Sequence, residues 1–304
     1  MVDSRTMKVV ISGASGLVGR WLVPDLEAAG HQVVRLLRGE VLPGTSGVAR
    51  WDPARGELDA GALAGTAAVV NLNGRAIGEG RWTSRVKEEL RSSRIRSTET
   101  LVRAIAAASP PPPLLINASA VGYYGDRGEE ILDEGSPAGR GFIAELARDW
   151  ELAALAAASP RTRVVLLRLA MVVGRGGALE RMLLPFRLGA GGPIGSGQQW
   201  WPWIAMEDVI GVIRFLLDRL GVDGPLNLVS PRQVRCAEFA ATLGRVLNRP
   251  SVLRLPAAAA RLVMGEMADA LLLASARVRP AALERMGYSF RIPDLDTAIR
   301  HAID

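Results

Sequence analysis

Three stretches of the chain carry residues whose type and spacing suit chemistry. The first is Gly13-Ala14-Ser15-Gly16-Leu17-Val18-Gly19, with glycines three apart. Backbone N–H groups at a helix N-terminus hold anions, and a glycine turn lets a pyrophosphate reach them without meeting a side chain. Such spacing arises by chance in a chain with 33 glycines, so its context must carry the weight. The second is Arg38, one residue past Leu37, where a site selective for NAD carries an acid for the ribose hydroxyls. An arginine there offers a planar cationic fork to a 2′-phosphate, so NADP is expected in preference to NAD. The bland alternative is one more surface arginine.

The third stretch is Ser119-Ala120-Val121-Gly122-Tyr123-Tyr124-Gly125, at the end of an apolar run. Ser119 is a candidate hydroxyl for a reacting oxygen or a group that satisfies nearby backbone. Tyr123 and Tyr124 are candidate proton donors, adjacent on what reads as an extended segment so that one of them faces a bound cofactor. The competing reading is packed aromatics with tied hydroxyls. Glu129, Glu130 and Asp133 read as a solvated loop. His31 and His301 lie far apart in the chain and Cys236 stands alone, so no metal site and no disulfide are expected. The amide and aromatic planes of Gln199, Trp200 and Trp201 suit a ring or sugar substrate, and a hydrophobic hinge is an equal reading.

Positioning such a turn takes a strand before it and a helix after it. Lys8–Ser12 is a β-branched run, Leu22, Leu26 and Ala29 follow with helical spacing, and Gln32–Leu37 is a second apolar run. The alternation continues through 67–72, a helix over 85–108, the Pro110–Pro113 stop, a strand over 114–119, a helix over 142–158 and a strand over 163–168. This is the rhythm of an α/β, doubly wound parallel sheet, a Rossmann fold. We assign residues 7–235 to that domain, with 180–205 contributing to a substrate cleft. A helix over 206–220 and a short strand over 226–229 complete it. Residues 236–304 read as a smaller, mainly helical C-terminal lobe with one long helix over 257–276.

The composition fits an ordinary globular chain of 304 residues, with 49% hydrophobic and 22% charged residues. Its net charge of +6 is spread along the sequence, which reads as a solvated arginine-rich surface with no nucleic-acid partner. No apolar run reaches the length of a membrane span, and the first residues are polar, so a cytoplasmic protein without a membrane partner is expected. Oligomeric state cannot be read.

The glycine spacing, Asn71-Leu72-Asn73-Gly74 and the 119–125 stretch together resemble the extended short-chain dehydrogenase/reductase superfamily. The chain is most similar to its nucleoside-diphosphate-sugar-epimerase-like branch, whose C-terminal part is a domain of unknown function. Trp51-Asp52-Pro53, Gly80-Arg81-Trp82, 119–128, 182–186, 195–200 and 265–275 carry that resemblance nearly end to end. It implies that Gly13, Ser15, Gly16, Leu17 and Val18 hold the pyrophosphate, Arg38 a 2′-phosphate, and that Asp52 lies near the adenine. Leu72, Asn73 and Gly74 would line the ribose side, and Ala118 and Ser119 the nicotinamide.

The superfamily's acid/base is a tyrosine with a lysine one turn later. Here those positions fall at about Phe142 and Leu146, and the only two lysines, Lys8 and Lys87, follow no tyrosine at that spacing. Three functions stay open: an NADP-dependent oxidoreductase acting on a small carbonyl or sugar-like molecule, a non-catalytic NADP-binding sensor, and a sugar-nucleotide epimerase.

Overall fold

The computed structural model describes residues 6–39, 41, 45–59 and 61–304; the polar stretch Met1–Arg5 lies outside them. The β-branched run at the N-terminus forms β1 (Lys8–Ser12) and the apolar run that follows forms β2 (Gln32–Leu37); β3 (Val48–Asp52) is a strand that the sequence pattern did not show. β4 (Glu57–Leu58), β5 (Ala68–Asn71), β6 (Leu114–Ala120), β8 (Arg163–Leu169) and β11 (Gly224–Leu228) complete an eight-stranded sheet. Its order is β11-β8-β6-β5-β1-β2-β3-β4, parallel throughout except for the β3–β4 edge. The chain therefore winds one way from β1 to β3 and the other way from β5 to β11. A sheet wound in both directions has a switch point, here between β1 and β5, and a crevice outside the carboxyl ends of those strands.

The crossover helices are α1 (Gly19–Ala28), α2 (Ser84–Ala107), α3 (Phe142–Leu155) and α5 (Met206–Asp218). Each begins at the carboxyl edge of the sheet, so its N-terminus faces the crevice. Alternate residues of the strands pack on the two faces, Val9, Ile11, Ile116 and Val165 with α1 and α5 on one and Val10, Val34, Leu115 and Val164 with α2 and α3 on the other.

A third cluster builds the smaller lobe. It joins Val173, Leu179, Phe186, Trp201 and Trp203 to Phe239, Leu243, Leu295 and Ile299. The elements are β9 (Met171–Val173) paired with β10 (Trp203–Ala205), α4 (Gly177–Arg187), α6 (Cys236–Val246) and α10 (Leu295–Ile303). Its packing thus draws on both sides of residue 235. In turn β12 (Arg277–Val278), paired with β7 (Ile131–Leu132), and α9 (Ala281–Arg285) send Val278 and Leu283 into the main core.

The single helix expected over 257–276 is interrupted. Gly265 takes φ +63, a left-handed conformation that ends α7 (Ala257–Met264); α8 (Glu266–Ala268) and a π turn over Asp269–Leu273 follow. Helical periodicity continues through the break, which is why the sequence concealed it.

Candidate functional site

The site begins with the glycine turn. Gly13 has φ +73, and a Cβ there would lie 2.7 Å from the Leu72 carbonyl, so this glycine lets the turn pack on the end of β5. A Cβ on Gly19 would strike the Gly13 carbonyl oxygen and Ala14, so the third glycine closes the turn on itself. Gly16 differs from both. Its amide donates to Gly13 O at 3.0 Å, it is exposed, and a Cβ would meet only that oxygen, at 3.1 Å. The space outside Gly16 and the exposed Ser15 is a cradle that a larger side chain would fill. α1 starts just beyond it with no side-chain cap, and its Arg20 and Trp21 amides donate within the turn, to Gly16 O at 3.1 Å and Val18 O at 3.0 Å, so an anion would be met by the turn ahead of them. Val18 is buried in the core, and Leu17 packs against Gly176 and Gly177, while Arg20 Nη2 donates to Arg175 O at 3.0 Å. These residues fit a bound dinucleotide pyrophosphate.

The other expected cofactor contacts fall along the same edge. Arg38 is exposed just past the end of β2. Asp52 ends β3, where its Oδ1 accepts from the amides of Ala54 (3.0 Å) and Arg55 (3.3 Å). Leu72 donates its amide to Ser12 O, and Asn73 Nδ2 donates to Ser93 O at 3.2 Å, so the 72–74 strap is pinned to β1 and α2. Gly74 lies against the Arg94 side chain. Ala118 and Ser119 are buried near the end of β6.

Beneath the strap runs a polar network that sequence reasoning missed. Ser12 Oγ donates to Asn71 Oδ1 (2.6 Å), and Asn71 Nδ2 donates to Asn117 Oδ1 (2.6 Å) and Thr98 Oγ1 (2.9 Å). The Trp150 indole N–H also reaches Thr98 Oγ1, at 2.9 Å. It ties the carboxyl ends of β1, β5 and β6 to α2 and α3. Its signal was present in the asparagines set in two otherwise apolar runs, Asn71 at the end of β5 and Asn117 within β6, because buried amides need partners.

The structure revises the catalytic expectations. Val121–Tyr124 is a 3₁₀ turn, not an extended segment, so the two tyrosines do not point to opposite faces. Their rings meet edge to face at 5.4 Å. Tyr124 is fully buried; its hydroxyl lies 2.7 Å from Asn227 Oδ1 and 2.9 Å from Asp133 O and accepts from Arg168 Nη1 at 2.9 Å. Burial pushes its pKa up to about 12, away from the neutral range that suits an acid/base. Ser119 is also committed, donating to Glu151 Oε1 at 2.7 Å. Tyr123 is half-buried, with the Arg168 guanidinium 3.6 Å from its ring centroid, and among the described residues its hydroxyl has no hydrogen-bond partner.

Arg168 and Glu151 organise this region, and neither was singled out from sequence. They form a buried two-pronged ion pair, Nε to Oε1 at 2.8 Å and Nη2 to Oε2 at 2.9 Å. A charged residue ending the apolar run 163–168, and another on the apolar face of α3, were the available clues.

The expected substrate residues are placed in packing. Gln199 is buried, with Nε2 donating to Ile194 O and Leu272 O, and Trp201 packs on Phe239 while its indole N–H reaches Leu272 O. Trp200 donates to Glu129 Oε2 at 2.9 Å and is flanked by Arg235 and Arg277. Arg235 and the Trp200 N–H hold the Glu129 carboxyl below the usual range, so Glu129 joins loop to lobe and is more than a solvated charge. Phe142 meets Trp82 edge to face, with Lys87 Nζ 5.1 Å from its ring and 2.5 Å from Glu266 Oε2 in the smaller lobe. Among the described residues, no cluster of His, Cys, Asp or Glu forms a candidate metal site, and no helix is long and apolar enough to cross a membrane.

A two-way-wound parallel sheet with a glycine cradle at its switch point defines a protein of the Rossmann class. Residues 9–228 match the NAD dependent epimerase/dehydratase family, and 255–302 match a domain of unknown function, DUF1731. The chain belongs to that epimerase/dehydratase family. It is 43% identical to the epimerase family protein Mb2239 of Mycobacterium bovis over 97% of each chain. It is 38% identical to the human epimerase family protein SDR39U1, over 98% of this chain and all of the relative. The crystal structure of that human protein (isoform 2) with NADPH superposes with a TM-score of 0.88 at 36% identity, covering 97% of this chain and 99% of that one.

Proposed function

We propose that the protein binds NADP along the carboxyl edge of its sheet and acts as an oxidoreductase on a small carbonyl or sugar-like substrate. One observation carries the reading. The open cradle at Gly16 leads onto an uncapped helix, and Arg38, with no acid at Leu37, stands at the end of the next strand. The human relative crystallised with NADPH supports the choice of cofactor. When bound, a reduced nicotinamide supplies hydride; the chain must bind, orient and protonate. Tyr123 is the hydroxyl on the 119–124 stretch left to donate to a substrate oxygen, since Ser119 and Tyr124 are held by buried partners. Epimerisation needs a base as well, and no tyrosine–lysine couple stands in α3 to provide one.

A second reading, a sensor of cofactor occupancy, draws on contacts that cross the crevice. Lys87 pairs with Glu266, and Arg81 Nη2 donates to Leu262 O at 3.2 Å, so both lobes meet around the cleft. Calorimetry with NADPH and NADH on the wild type and on Arg38→Ala tests the first reading. Tighter NADPH binding is expected, with Arg38→Ala losing about 1–3 kcal/mol for NADPH alone. Equal wild-type affinities for the two cofactors would remove it. Turnover on a carbonyl panel that falls in Tyr123→Phe separates catalysis from sensing.

A further inference from the structure

Where α1 and α5 of the Rossmann domain meet α10 of the smaller lobe, the surface opens into a cavity of about 160 Å³. Its floor is apolar: Val173, Met206, Ile210 and Ala302 are all buried. At its rim stands Trp21, the one of the seven tryptophans left exposed, at 40%. Among the described residues its indole N–H has no hydrogen-bond partner. An apolar floor beneath an accessible indole suits a second ring, stacked on it or edge to face. A cavity of roughly 150 Å³ takes up one benzene, so the space is about one ring in size.

The charges around it do not cancel. Glu207 Oε1 lies 3.3 Å from His301 Nδ1, and Asp25 Oδ2 lies 3.5 Å from Arg214 Nη1, so each carboxylate on the rim already has a partner. Arg175 and Arg291 line the same cavity, and among the described residues neither guanidinium has a carboxylate within ion-pair distance. Counting histidine as neutral, three guanidiniums against two carboxylates leave the rim one positive charge in excess. A guanidinium is a planar fork of N–H donors that matches a carboxylate, so these two arginines select an anionic head. The cavity is also set apart from the glycine cradle. Gly174 and Arg175 form part of its wall, and the same loop continues to Gly176 and Gly177, which pack on Leu17. The loop therefore stands between the two.

We propose that this cavity is a second ligand site, for a small aromatic carboxylate whose ring lies on the apolar floor against Trp21 and whose carboxylate meets Arg175 and Arg291. Pockets for nucleotide-sized ligands run to roughly 300 Å³ or more, so the ligand is smaller than the cofactor or any nucleotide. The assignment stands on the residues of the cavity and is independent of what the crevice binds.

The test compares benzoate with benzamide, which has the same ring and no charge. Titrations followed by saturation-transfer NMR at fixed ionic strength would use wild type, Arg175→Met, Arg291→Met and Trp21→Ala. All three side chains are exposed, and melting curves check that the variants fold. Wild type should bind benzoate saturably in the millimolar range or tighter, and benzamide about tenfold more weakly, because it lacks the charge-assisted bonds. Each arginine variant should weaken benzoate several-fold and leave benzamide unchanged, while Trp21→Ala should weaken both. Should one variant fail to fold, the other two carry the test. No saturable binding of benzoate by the wild type, equal affinity for the acid and the amide, or benzoate affinity that the folded variants leave unchanged would each overturn the assignment.

Discussion

The buried pair Arg168–Glu151 holds together the floor of the crevice, and removing one member should be among the most damaging single changes in the protein. Arg168 is 3% exposed and Glu151 6%. The guanidinium makes two bonds to the carboxylate, one to the Tyr124 hydroxyl and one to Glu134 O, and it stacks on Tyr123. In Arg168→Met, the Glu151 carboxylate keeps only the Ser119 hydroxyl and stays enclosed as an uncompensated charge. That mechanism costs about 3–5 kcal/mol, a large share of the roughly 5–15 kcal/mol that holds a domain folded. Glu151→Leu should cost about as much, because it strands the guanidinium. The double variant leaves no buried charge, so it should cost at least about 2 kcal/mol less than the sum of the two. Urea unfolding at pH 7, followed by far-UV circular dichroism and tryptophan fluorescence, reads all four proteins of the cycle. A cost below about 1 kcal/mol for Arg168→Met, or additivity of the two changes, would refute the reasoning.

Gly16→Val should leave a folded protein that loses at least about tenfold in NADPH affinity, because its methyl groups fill the cradle; Gly13→Ala should instead lower the melting temperature, since its Cβ meets the Leu72 carbonyl. Fluorescence titration and thermal melts separate the two. Tyr124→Phe should destabilise by about 1–3 kcal/mol in urea with NADPH affinity unchanged, because it strips buried partners from Arg168 and Asn227. Asp294 caps α10, its Oδ1 accepting from the Thr297 amide at 3.1 Å, and Asp294→Ala should cost about 1 kcal/mol at pH 7. That backbone N–H holds the carboxyl below its ordinary value of 3.8, so the cap's contribution is present above that value and lost as pH falls through the lower, folded one. Melting curves from neutral to acid pH should therefore show the two proteins converging.

Local pattern alone determined the alternation of strands and helices from Lys8 to Arg168, the glycine turn and the missing acid at Leu37. These were legible because period, glycine spacing and residue type act over a few residues, and the two-way-wound sheet follows from them. β3 was not legible because its sequence, Val48-Ala49-Arg50-Trp51-Asp52, is no apolar run, and the pairs β7–β12 and β9–β10 were not because strands of two or three residues are made by neighbours distant in sequence. Nor was the break at Gly265, whose left-handed φ leaves the apolar period undisturbed. The chemistry of the site depended most on tertiary structure. Ser119 and Tyr124 have the right types at the right strand end, yet Glu151, Arg168 and Asn227 arrive from elsewhere in the chain and occupy their hydroxyls. Arg94 and Lys87 are two charges on one helix, α2. Tertiary packing separates them: α8 brings the Glu266 carboxylate to Lys87, while α3 lays the Trp150 ring against Arg94, which among the described residues has no carboxylate, because a charge's role is set by the partners within a few ångströms of it.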